Sequence, residues 1–144
     1  MAITSAICTS FKVELLKGVH DFTAGTGDTF NLALYAGGTA ALGATTTAYT
    51  TTGEVSGTGY VAKGQDLTNV TPVATGTTAV VDFADETFAT ATITASGCLI
   101  FNDTEAGDPA VAAISFGGAK TSTAGDFTIV FPSPTATGAI IRLA

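Results

Sequence analysis

Apolar residues in this chain recur at every second position more often than at every third or fourth. In residues 29–35, Phe30, Leu32 and Leu34 alternate with Asn31, Ala33 and Tyr35. A period of two places each set on its own face of an extended strand. Similar short runs follow at 66–71, 77–83, 86–94, 97–102, 109–116, 126–131 and 138–143. They are rich in Val, Ile, Thr and Phe and are bounded by Gly, Pro, Asp or Asn, as strands between turns are. Helical spacing occurs once, over 10–18, where Phe11 and Leu15 stand four apart and Gly18 offers a stop. Pro72, Pro109, Pro132 and Pro134 fall at the ends of these runs, where no ladder donor is lost. The pattern predicts an all-β chain: one antiparallel β-sandwich domain over 10–144, jelly-roll or Ig-like in strand order. A short N-terminal arm over 1–9 precedes it, with one or two turns of helix at the junction. Segments 23–28, 36–59, 116–126 and 132–138 read as loops, and the second is long for a compact domain.

Composition changes the picture in one respect. Only 12% of the 144 residues are charged, against roughly 25% in ordinary soluble chains. Mean hydropathy is +0.44. A free monomer keeps itself soluble with a mixed, charged surface, so a surface this sparse is expected to be covered by neighbouring subunits. The net charge of −7 and the scatter of the five basic residues, Lys12, Lys17, Lys63, Lys120 and Arg142, exclude a phosphate-binding face. No nucleic-acid partner is expected. No apolar run approaches the roughly 18 residues of a spanning helix, so no membrane partner is expected either. No basic segment precedes an apolar one at the N-terminus, and synthesis in a reducing cytoplasm is expected. Cys8 and Cys98 sit among apolar neighbours and read as small buried hydrophobes.

Candidate chemistry is thin. Gly57-Thr58-Gly59 invites comparison with phosphate loops, but the third glycine comes too late and no amphipathic helix follows. These glycines read as a turn, with Tyr60 and Val61 opening a strand. His20 is the single histidine and reads as a surface or capping residue beside Asp21. Two acidic groups remain: Asp82, Asp85 and Glu86, and then Asn102, Asp103, Glu105 and Asp108. The second departs from a calcium loop, with Gly107 at a ligand position and no closing glutamate. It reads either as a loose calcium site between strands or as a plain hairpin loop. No acid, base and nucleophile are paired, so no enzyme, catalytic residue, metal or cofactor is expected.

The segment 30–72 contains Ala33-Leu34-Tyr35, a variable Ser/Thr/Ala loop, and then Glu54-Val55-Ser56-Gly57-Thr58-Gly59-Tyr60. In these residues, and in 96–102, 116–132 and 139–144, the chain resembles a family of small structural proteins of tailed bacteriophages. The resemblance implies a virion component that decorates the capsid surface across capsomer junctions, made in the host cytoplasm. Its implied partners are the major capsid protein and further copies of itself, as a homotrimer. A tail-associated or receptor-binding protein is the alternative, and a carbohydrate- or calcium-binding sandwich module the second. Interface residues are expected at Ile3, Ile7 and Phe11 in the apolar N-terminus, and at Glu54 and Tyr60 in the family motif. For those two the competing reading is structural, with Tyr60 in the core and Glu54 bonded to donors of its own loop.

Overall fold

The computed structural model describes residues 2–144. It is a sandwich-like, all-β single domain with one short helix. In chain order the elements are β1 (Ala6–Ile7), α1 (Thr9–Leu16), β2 (Phe30–Tyr35), β3 (Gln65–Asp66), β4 (Asn69–Thr75), β5 (Thr78–Phe83), β6 (Glu86–Asn102), β7 (Ala110–Ile129) and β8 (Ile141–Leu143). They form a five-stranded sheet ordered β1-β7-β6-β2-β3 and a three-stranded sheet ordered β4-β5-β8. Every named strand pair is antiparallel.

The helix stops where the sequence says it should. Gly18 takes φ 73. Its N–H bonds the Leu15 carbonyl, and the Val19 N–H bonds that of Glu14, a Schellman closure that satisfies two orphan carbonyls. Phe11 is 1% exposed while Leu16 is 90% exposed, so one stripe of α1 packs and the other faces outward.

Three expectations give way. The runs 86–94 and 97–102 are one strand, and 109–116 continues through the presumed loop 116–126 to Ile129. Register shifts explain this, because the β6–β7 pair absorbs Gly97, Gly117, Gly118 and Gly125 as irregularities within one long hairpin. Tyr60 and Val61 lie outside any strand, and the chain becomes extended only at Gln65. Residues 2–9 do not form a free arm. Ile3 bridges Leu42, Ala6 and Ile7 pair with Ala113 and Ala112, and Cys8 is fully buried.

β2 is buried at all six positions, and both of its edges are occupied. β6 runs along one. The other is closed by β3 at Asn31 and Leu32 and, further on, by the long connection. The Val55 N–H donates to the Leu34 carbonyl, and the Leu34 N–H donates to the Tyr60 hydroxyl oxygen at 3.0 Å. The two sheets are joined by aromatic packing. Phe22 stacks on Phe30 at 4.3 Å, Phe30 lies 5.9 Å from Phe83, and Phe83 lies 5.5 Å from Phe131. Each such buried ring contributes about 1.5–3 kcal/mol.

Candidate functional site

Three polar clusters and an apolar surface are the places where chemistry or binding could reside. The first is centred on Glu54. Its Oε2 accepts from the Tyr49 hydroxyl at 2.5 Å. Its Oε1 accepts from the Tyr60 hydroxyl and from the Lys63 backbone N–H, both at 2.7 Å. Tyr35 donates to the Thr50 carbonyl at 2.7 Å. Burial, and then the Glu54 carboxylate beside it, pushes the Tyr49 phenol up to about 12. The same causes raise Tyr60. Burial raises Tyr35 too, with the Glu54 charge second. All three tyrosines are therefore neutral donors, and the carboxylate accepts three hydrogen bonds from its own chain.

The glycines of this segment have steric reasons. A Cβ on Gly57 (φ 150) would collide with the Thr92 carbonyl oxygen, and one on Gly59 (φ 80) would sit 2.7 Å from the Ala91 Cα. The Gly-x-Gly motif is the seam that lays the long connection against β6. Glu54 and Tyr60, expected at an interface, are staples within the chain. Tyr60 is half-buried and stacks on Phe88 at 5.5 Å.

The second cluster is the acidic loop. Lys63 Nζ lies 2.9 Å from Asp103 and 2.8 Å from Asp108. Its ammonium also sits 5.7 Å from the Tyr49 ring centroid and 5.9 Å from that of Phe101. The hydrogen bonds to Asp108 and Asp103 raise the Lys63 pKa. The position a calcium ion would take between these carboxylates is filled by the chain's own cation. Among the described residues no group of three or more His, Cys, Asp or Glu is arranged to hold a metal.

The third cluster corrects the reading of His20. Its ring is buried, and its side-chain partner is Glu14, not Asp21. His20 Nε2 lies 2.8 Å from Glu14 Oε2, and Nδ1 lies 3.0 Å from Asn102 Nδ2. The Asn102 Oδ1 accepts from Thr104 and Glu105 N–H groups, so its amide nitrogen must face the ring. His20 is thus the Nε2–H tautomer, donating to Glu14 and accepting at Nδ1. A carboxylate–histidine pair can serve a nucleophile only if one ring nitrogen stays free. Here both are engaged, and no hydroxyl or thiol bonds the ring.

Of the N-terminal interface candidates, Phe11 is core, 5.0 Å from the His20 ring centroid. Ile3 and Ile7 are half-buried and pack on the chain's own core. Phe11 is closed off within the chain, while Ile3 and Ile7 keep part of their surface exposed. What remains available is a set that periodicity alone does not single out: Val13 and Leu16 on α1, Val61 and Val130 on connections, and Val70, Val73 and Leu143 on the three-stranded sheet, each 42–90% exposed. A groove of about 490 Å³ also runs beside β7, with Phe116, Phe127, Phe131 and Ile140 in its wall. Alternation marks only Phe127 and Ile129 on this wall, because Gly125 and the polar run 120–123 break the pattern before it. No helix among the described residues is long and apolar enough to cross a membrane. Comparison of the chain with protein-family models, with curated proteins and with solved structures returns no match.

Proposed function

We propose that this chain is a structural virion protein that decorates a tailed-bacteriophage capsid and stabilises the assembled shell by binding across capsomer junctions. The observation that carries the reading is a charge-poor surface on which large apolar side chains stand outward, with Leu16 at 90%, Val130 at 72% and Leu143 at 57% exposure. Such surfaces are stable in water when a partner covers them. The resemblance of 30–72 to small phage structural proteins supplies the kind of partner. The clusters around Glu54, Lys63 and His20 are closed on themselves, which suits a rigid clamp.

Binding only the assembled shell shifts its stability by mass action. A copy touching two or three capsomers gains further from multivalency. Contacts of roughly 1,200–2,000 Å² would suffice for each stable interface. The test is co-sedimentation of the purified protein with undecorated shells of its own phage, followed by thermal melting of the shells. Saturable binding with a raised shell melting temperature is expected. Immunogold label on tails with none on heads would transfer the protein to the tail-associated class. Absence of binding to both would end the virion reading.

A further inference from the structure

α1 turns one stripe toward the chain and leaves the other bare. At roughly 100° per residue, Phe11, Glu14 and Leu15 share one side of the helix, and all three are buried or half-buried. Glu14 is the one acid of α1, and His20 occupies it at 2.8 Å. Lys12, Leu16, Val13 and Lys17 follow one another around the opposite side over roughly 140°, and all four are exposed. Thr9, also exposed, lies among them. This face carries two cations, two large apolar side chains and no acid.

The remaining basic residues are differently placed. Lys63 is held by Asp103 and Asp108, and Arg142 donates to the Ala136 and Thr137 carbonyls. Among the described residues Lys12 and Lys17 take part in no ion pair. Neither Lys12 nor Leu16 serves the free chain. Lys12 stands in the first turn of α1, where a cation opposes the helix dipole. Leu16, at 90% exposure, gains nothing from burial.

A surface that complements this face is anionic at its margins and apolar between them. An anionic bilayer fits less well than a protein. The exposed stripe belongs to a helix about 12 Å long, and the net charge of −7 opposes approach to anionic lipid. We infer that the outward face of α1 docks on an acidic protein surface, with Leu16 in an apolar pocket flanked by carboxylates that pair with Lys12 and Lys17. The owner of that surface is a subunit of the shell, so the inference rests on the capsid reading and names the face of this chain that the shell covers. A central apolar anchor inside a charged margin is the arrangement that concentrates binding energy and fixes orientation.

The test is co-sedimentation of the full chain and its variants with undecorated shells. Lys12→Glu and Leu16→Ser, made singly, should each weaken binding at least ~10-fold. Lys120→Glu makes the same change in net charge on β7 and should leave binding within ~2-fold, which separates local pairing from overall repulsion. All three positions are exposed, so the variants should melt with the parent. Lys12→Glu and Leu16→Ser probe the face independently, should one of them misfold. Shells that bind both as tightly as the parent would overturn this inference and leave the capsid reading standing. A parent that binds no shell would remove both. Leu16-dependent binding to phosphatidylserine vesicles would give the face to a membrane instead. An oligomer of the free chain that Leu16→Ser dissociates would give it to a second copy. Either result overturns the assignment to the shell.

Discussion

Replacing Glu54 by alanine removes the acceptor for three hydrogen bonds, from Tyr49, Tyr60 and the Lys63 N–H. A hydrogen bond to a charged group is worth about 1.5–3 kcal/mol. A simple sum would be too large, because the three share one carboxylate and are not independent. The tyrosines are also half-exposed, so water can take over part of their hydrogen bonding. A loss of about 2–4 kcal/mol follows. In a domain of this size each kcal/mol moves the melting temperature by about 3–5 °C, so Glu54→Ala should melt about 6–20 °C lower. Glu54→Gln separates charge from geometry. Its one oxygen can keep Tyr60 and the Lys63 N–H, and its amide can donate to Tyr49 once that hydroxyl turns. It should cost only about 1 kcal/mol. Calorimetric melts of the two variants beside the parent decide the matter. If Glu54→Ala melts within ~2 °C of the parent, the network does not hold the long connection, and Glu54 returns to being an interface candidate.

Glycine substitution probes the same seam. Gly64→Ala (φ 70) drives a Cβ into the Leu32 carbonyl oxygen, whereas Gly76→Ala (φ 63) meets nothing within 4 Å; urea titration should show a loss of about 1 kcal/mol at Gly76 and at least ~3 kcal/mol at Gly64. Equal losses would refute the close packing of residue 64 on β2. Alkali should unfold the protein. The Tyr49 phenol is raised from 10.0 to about 12, so the stability it contributes is complete below pH 10 and is lost as pH climbs through 12. Absorbance at the phenolate band should rise in one cooperative step with loss of circular dichroism, and independent titration of the tyrosines near pH 10 in a folded protein would contradict it. Burial pushes the Cys8 thiol up to about 11 and the Cys98 thiol up to about 12, so a thiol reagent at pH 8 should react with neither until the chain unfolds. Rapid labelling of the native protein would show that one of them is reachable.

Much of the fold was legible because it depends on local pattern. The period-two runs marked where strands lie, and Phe11, Leu15 and Gly18 marked one short helix and its end. The sparse charge marked a surface unlike that of an ordinary monomer. Tertiary structure decided how the runs join, since glycines that look like turns can be absorbed as bulges when a long partner strand is present. It also decided the fate of the apolar N-terminus. Ile3 and Ile7 pack on the chain's own core and Phe11 packs on His20 and Phe22, contacts made at no loss of translational freedom. Glu54 met its donors, Lys63 its two aspartates, and His20 its glutamate and asparagine across as many as 82 residues of sequence. Those meetings are set by where the strands cross, which no window along the chain contains.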